Sequence, residues 1–334
     1  MSGIGLEVAS ARYMEAVERD IAQAQAYENA IATYDNMIKS QTAILDATKV
    51  DSKTFAVSNP DAGKYVPVVF MDIDETILDN AAYDIWAILN NTHYTSQSWT
   101  AWCQEGVAKE IPGAIKFIKH VWENGGVVMF NSNRIQSKDT KYDQRAGTIK
   151  NLKALGLDDK MMKDFVWLMD GCDAEKHPEA PWTTTDNLYL HIAKDVRMDT
   201  ISFSNQDKGF DLSAYGSGNS VKFRTIMRIG DDFNGFWETT SKSKGSEARK
   251  TIHNEHKDFF TAQGSTSIKL DKDAKVVSEK AARNWKEAFI QIPENIWYGG
   301  WEQALANGKY FKNSYLRIKT SLEIIEKYSW HHKI

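Results

Sequence analysis

Two carboxylates set two residues apart, Asp72 and Asp74, close the apolar run Val66-Pro67-Val68-Val69-Phe70-Met71, which has strand length and β-rich character. The chain beyond them reads as loop before helix. In an open α/β sheet, ligands bind outside the carboxyl ends of the strands, so the pair would project into a crevice rather than a core. Carboxylates this close repel, and a bound cation is the usual remedy. An isolated Asp-x-Asp also occurs as a solvated acidic turn. The choice between the two readings therefore rests on the other strand ends.

Those ends carry complementary groups. Val127-Val128-Met129-Phe130 runs into Asn131-Ser132-Asn133-Arg134, a third strand over Asn187–Ile192 is followed by Lys194 and Arg197, and Phe223–Ile229 stops at Gly230-Asp231-Asp232. Phosphoryl transfer needs a nucleophile, a proton donor for the leaving oxygen, donors for the equatorial oxygens and a divalent ion to offset charge. Asp72, Asp74, Ser132, Lys194 and Asp231 supply that set. Taken singly, Ser132 reads as a turn residue and Lys194 as a surface lysine. His253 and His256, three apart with Glu255 between them, lack the HExxH spacing and a third ligand, and read as a surface helix.

The elements that must position these groups alternate. Residues 8–48 read as a long helix whose apolar face steps through Val17, Ile21, Ala24, Tyr27 or Glu28, Ile31, Tyr34 and Ile38. That face packs either on the body of the protein or on a second copy. A segment heavy in Tyr83, Trp86, Tyr94, Trp99 and Trp102 follows the Asp pair. Ala114–Asn124 and Ala146–Leu155 read as helices closed by glycines, residues 157–182 as a surface excursion, and Phe289–Pro293 as a fifth strand. Ser241–Lys250 reads as a mobile loop or a frayed helix. Strands separated by helices predict an α/β fold with a doubly wound, Rossmann-like parallel sheet. The expected organisation is an N-terminal helical region over 1–58, partly cap, a core over 59–305 and a helical tail over 306–334.

Composition bounds the function. The 334 residues are 42% hydrophobic, with 11 Trp, 13 Tyr and 14 Phe, enough for a sizeable core. A net charge of −4 without long like-charged runs argues against nucleic acid as a partner. Cys103 and Cys172 form one disulfide or remain two buried thiols. No apolar run of about 18 residues is present. The first residues lack the pattern of a signal peptide, so the protein is either cytoplasmic or exported by a signal absent from this chain.

In this order, the strand-end groups resemble the haloacid dehalogenase-like hydrolase superfamily, and within it the class C acid phosphatases, the group of the outer-membrane lipoprotein e (P4). Ser96–Trp102, Ile111-Pro112-Gly113-Ala114, Phe130–Arg134, Gly147-Thr148-Ile149 and Pro293 through Tyr298-Gly299-Gly300-Trp301-Glu302 carry the likeness, over residues 64 to 302. The resemblance implies a helical cap on the core and a Mg²⁺-dependent acid phosphatase acting on phosphomonoesters, 5′-nucleotides or aryl phosphates. Asp72 would be the nucleophile, forming an aspartyl-phosphate, and Asp74 the general acid and then base, a role that fits an acidic optimum. Ser132, Asn133 and Lys194 would hold the phosphoryl oxygens. Asp72, Asp74 through its main-chain carbonyl, and Asp231 would hold Mg²⁺, with Asp232 as a further candidate. Trp99 or Trp102 with Tyr298 would stack a base or aryl ring. The group's members are exported, to the periplasm or to an outer-membrane anchor, and pair as homodimers. Membrane contact would come only through an N-terminal anchor that this chain lacks. One departure stands out: Gly235 occupies the position where the group carries a second Asp four residues after Asp231. That absence admits an alternative, a phosphate-binding or scaffold protein of the same fold.

Overall fold

A computed structural model describes residues 14–41, 66–90, 92, 94–137, 139–171, 191–202, 210–211, 220–221, 223–279 and 285–293. Its centre is a six-stranded sheet of β1 (Val66–Met71), β2 (Val127–Ile135), β3 (Trp167–Asp170), β4 (Phe223–Gly230), β5 (Ser265–Thr266) and β6 (Lys286–Gln291). The spatial order is β3-β2-β1-β4-β6-β5, parallel throughout except for the antiparallel edge strand β5. All residues of β1 and β4 are buried, as expected of strands covered on both faces. Pro67 is tolerated because pairing with β2 begins only at Val68, leaving no ladder bond on that side for its missing N–H.

Helices α1 (Val17–Ser40), α2 (Ala81–Leu89), α3 (Ser96–Glu105), α4 (Ala114–Glu123), α5 (Arg145–Ala154), α6 (Lys194–Ser202) and α7 (Asn234–Glu255) join the strands. The chain leaves β1 for β2 on one side and returns from β3 to β4 on the other. The strand order therefore reverses between β1 and β4, and the crevice at their carboxyl ends is where such sheets bind ligands.

Three expectations are corrected. The third strand is Trp167–Asp170, inside the stretch expected to be a surface excursion, while His191 and Ile192 form no strand and 187–190 lie outside the described residues. With all four of its residues buried, this strand shows no alternation to read. The tract from Ser241 to Lys250 is neither loop nor frayed end, being enclosed within α7.

The stripe of α1 is met in part: Tyr27 and Tyr34 are buried and Ile31 and Ile38 pack against the core, joined by buried Gln23, Ala30, Thr33 and Met37, while Val17 and Ile21 are exposed. Tyr27 donates to the carbonyl of Thr76 (2.5 Å) and Tyr34 to that of Asn124 (3.3 Å), so α1 covers its own body, with Tyr27 tilted on Phe117. The stretches 8–13, 42–48 and 306–334 lie outside the described residues. Cys103 is a buried free thiol, pushed up to about 12 by burial, whereas Cys172 is not among the described residues. His253 and His256 lie against Phe260 and Trp237, and no cluster of metal-ligating side chains occurs among the described residues.

Candidate active site

Asp72 follows β1 directly. Its N–H reaches the Ile229 carbonyl (3.0 Å), which extends the pairing with β4 by one residue and sets Asp72 beside the turn holding Asp231. One carboxylate oxygen accepts the N–H of Ile73 (2.8 Å), and the other takes the ammonium of Lys194, the first residue of α6. Both side chains are close to fully buried. Burial raises the Asp72 carboxyl above the usual carboxylate range, opposed by the Lys194 charge and assisted by that of Asp74. Burial likewise works against the Lys194 charge, but Asp72, Glu238 and Asp231 outweigh it and hold the ammonium above its ordinary value.

The loop after Asp72 is fixed by buried polar contacts. Asp74 Oδ1 accepts from Arg134 Nε (3.0 Å), Arg134 Nη2 (2.7 Å) and Asn80 Nδ2 (2.9 Å). Glu75 sits in the left-handed region at φ 53° and accepts the backbone N–H of Asn80 (2.9 Å). A non-glycine residue held there needs a surrounding that over-determines it, and this bond to Asn80 contributes to that. Burial, followed by Asp74 and Asp231, lifts the Glu75 carboxyl well above its usual range. Thr76 donates to Asp231 Oδ1 (3.0 Å) across the crevice.

From β2, the Ser132 hydroxyl accepts the N–H of Arg134 (3.0 Å), and Asn133 Oδ1 accepts from Arg197 (2.6 Å). Arg197, one helical turn after Lys194, also grips the carbonyls of Ser132 (2.5 Å) and Leu168 (2.6 Å). The Lys-x-x-Arg spacing thus puts the lysine on Asp72 and the arginine under the Ser132–Asn133 turn. The structure thereby brings together Asp72, Asp74, Ser132, Asn133, Lys194 and Asp231 at one sheet edge. Asp232 is engaged differently: its carboxylate accepts the Asn234 N–H (2.7 Å) at the start of α7 and pairs with Arg249 (3.3 Å).

The aromatic segment lies over the Asp74 side. Trp102 Nε1 donates to Asn80 Oδ1 (2.8 Å), Trp99 stands edge-on to Tyr83 with centroids 5.1 Å apart, and the Arg134 guanidinium is 5.7 Å from the Trp99 ring. Tyr298 lies outside the described residues.

The model of the haloacid dehalogenase (HAD) superfamily, subfamily IIIB (acid phosphatase), matches residues 4–253. The chain belongs to that family. It is a phosphatase, which supports hydrolysis of phosphomonoesters. The class C acid phosphatase from Bacillus anthracis shares its fold, at 18% identity and a TM-score of 0.55 over 95% of this chain and 94% of that one. The same Bacillus anthracis enzyme with tungstate bound gives 19% identity and a TM-score of 0.58, with the same coverage. The parallel sheet expected from the sequence is the sheet of this family.

Phosphatases of the superfamily are in general divalent-metal dependent. The donor chemistry of this phosphatase fits such an ion. Asp72 and Asp231, with the main-chain carbonyl of Asp74, offer hard oxygen donors at the crevice, although no three metal-ligating side chains stand gathered there among the described residues. Class C acid phosphatases are in general exported, and no helix among the described residues is long and apolar enough to cross a membrane.

Two residues had no sequence signal. Glu238, fully buried on α7, accepts from Lys194 N (2.5 Å), His191 Nε2 (3.1 Å) and Asn133 Nδ2 (3.4 Å). His191 also engages Asp170 through Nδ1 (2.7 Å), and these two carboxylates raise the imidazole to about 9. His191 was expected inside a strand and Glu238 belongs to no motif, so only the fold brings them to the site.

Proposed function

We propose that this phosphatase hydrolyses phosphomonoesters through an aspartyl-phosphate on Asp72. The observation that carries the reading is the convergence at the strand-order reversal: Asp72 paired to Lys194, with Asp74 fixed by Arg134 two residues on. An Asp72 oxygen attacks phosphorus as the bond to the ester oxygen breaks, and Asp74 delivers the proton to the departing alcohol. Water then attacks the phosphorus of the intermediate, Asp74 takes its proton, and Asp72 is released with inorganic phosphate. Lys194, the Ser132 hydroxyl and the Asn133 turn hold the phosphoryl oxygens.

Mg²⁺ is the ion proposed, held by Asp72, the main-chain carbonyl of Asp74 and Asp231, where it supplies positive charge against the phosphoryl oxygens. Trp99 and Trp102, over the Asp74 side, support substrates with a flat leaving group, 5′-nucleotides or aryl phosphates. The proposed location is outside the cytoplasm.

Hydrolysis of p-nitrophenyl phosphate between about pH 4 and 8, with added Mg²⁺ or with EDTA, tests this reading. Turnover that is lost in EDTA, restored by Mg²⁺ and reduced at least about 1,000-fold in Asp72→Asn is the expected result. An Asp72→Asn protein that turns over like the parent would refute it.

A further inference from the structure

α7 starts at the crevice, and its first turn carries Gly235, with no side chain. Glu238, three residues on, is 0% exposed. Its Oε2 accepts the N–H of Lys194 at 2.5 Å, while Oε1 takes His191 Nε2 at 3.1 Å and Asn133 Nδ2 at 3.4 Å. One carboxylate thus ties the carboxyl end of β2, the segment leading into α6 and the first residue of α6. Asp170, at the end of β3, closes the frame by holding the other imidazole nitrogen at 2.7 Å.

Burying a carboxylate is costly, and an apolar side chain of similar volume would fill the space at less cost. What the carboxylate adds is position. The Lys194 N–H is one of the donors that the N-terminus of a helix leaves without an intrahelical partner, and a negative charge there is favoured by the helix dipole. Lysine has a flexible four-carbon stem, so where its ammonium falls on Asp72 depends on where its backbone is fixed. Asn133 is in the same situation: Glu238 takes its amide N–H while Arg197 takes its carbonyl oxygen (2.6 Å), which fixes the rotamer from both ends.

We infer that Glu238 is a positioning residue for phosphoryl transfer, holding the start of α6 and the Asn133 amide so that Lys194 and the Ser132–Asn133 turn meet the phosphoryl oxygens. This rests on the phosphoryl-transfer reading of Asp72 and Lys194. In the fully charged frame, both imidazole nitrogens of His191 donate, one to each carboxylate.

The test uses the full chain and the variants Glu238→Gln, Glu238→Asp and Lys194→Ala, each compared at a temperature where it is folded. Glu238→Gln keeps the shape but has one acceptor oxygen where the carboxylate has two for the donors named above. It is expected to lower kcat for p-nitrophenyl phosphate about 10- to 100-fold with KM changed less than about 3-fold, and to weaken orthophosphate binding in calorimetry about 10-fold. Glu238→Asp, with its shorter arm, is expected to fall between it and the parent. In the Lys194→Ala background, Glu238→Gln is expected to weaken orthophosphate binding less than it does in the parent, because the part exerted through Lys194 is already lost and only the part exerted through Asn133 remains. A folded Glu238→Gln protein with parental kcat and orthophosphate affinity, or losses that multiply with those of Lys194→Ala, would overturn the role and leave Glu238 a purely structural group. If Asp72→Asn is inactive beside a fully active Glu238→Gln, only the positioning role fails. If Asp72→Asn keeps its activity, the reading beneath it fails too.

Discussion

Asp74 collects three donors on a single oxygen. Arg134 reaches Oδ1 through Nε and Nη2, Asn80 adds its amide, and the remaining Arg134 nitrogen, Nη1, goes to the Thr148 hydroxyl at 2.8 Å. Donors gathered on one oxygen fix the orientation of the carboxyl and leave the second oxygen free of these three bonds, as an acid–base role for Asp74 would require. Removing the guanidinium leaves a buried carboxylate without its partner, the costly half of a buried pair. Arg134→Ala is expected to lower stability by about 3–5 kcal/mol, read from the urea midpoint. Arg134→Lys keeps the charge but loses the fork, and is expected to lower kcat about 10- to 100-fold in the p-nitrophenyl phosphate assay. If Arg134→Lys kept parental kcat, the orienting role would fall. The strand-end positions of the Asp pair and of Ser132 were legible because apolar runs lead into them, whereas Lys194 was placed by the Lys-x-x-Arg spacing and the family resemblance, the run before it forming no strand among the described residues. Asn80 and Glu238 were not, since nothing in an isolated Asn or Glu tells which strand end will lie against it.

At the level of elements, two close approaches explain short segments of the sequence. A Cβ on Gly147 would stand 2.1 Å from the Cys103 carbonyl oxygen, so α3 and α5 cross there backbone to backbone, and the next residue, Thr148, is the one that meets Arg134. Gly235 similarly packs on Gly230, whose Cα would lie 3.3 Å from an added Cβ. Gly230 has little room to yield, because β4 is paired on both sides and its carbonyl accepts the N–H of Ile292 at 2.9 Å. Gly235→Asp is therefore expected to cost about 1–3 kcal/mol in urea unfolding, with no gain in Mg²⁺ affinity by calorimetry. Tighter Mg²⁺ binding in that variant would show that the crevice lacks a carboxylate at this position. The strands β1, β2 and β4 and the helices α4 and α5 were legible from apolar runs and closing glycines. The strand β3 was not, for lack of alternation, and on α1 the expected face holds at Tyr27, Ile31, Tyr34 and Ile38 but not at its first two positions, Val17 and Ile21, which are exposed.

For the whole molecule, buried ionisable groups set the pH range in which the fold is stable. Burial raises the carboxyls of Asp72, Glu75 and Asp195 and lifts that of Asp199 to about 6. Each of these binds its proton more tightly in the folded chain than in the unfolded one, so stability falls as pH rises through the folded value. His191 acts in the same sense: its hydrogen bonds to Asp170 and Glu238 raise it to about 9, so its contribution is complete below about 6.5 and is lost as pH climbs through 9. His256, lowered by burial, opposes this on the acid side, where charging it below about 6.5 weakens the fold. In EDTA, the Tm is therefore expected to be highest near about pH 4, the four raised carboxyls outweighing the single opposing His256, and to decline steadily toward about pH 9. Asp199→Asn should flatten the decline between about pH 4 and 6, and His191→Asn the part between about pH 7 and 9. A Tm that rises from pH 6 to 8 in the metal-free parent would contradict these assignments. A cation bound beside Asp72 favours its charged form, so Mg²⁺ should raise the Tm more at pH 7 than at pH 5. Comparing the two profiles would report metal binding at this crevice independently of turnover.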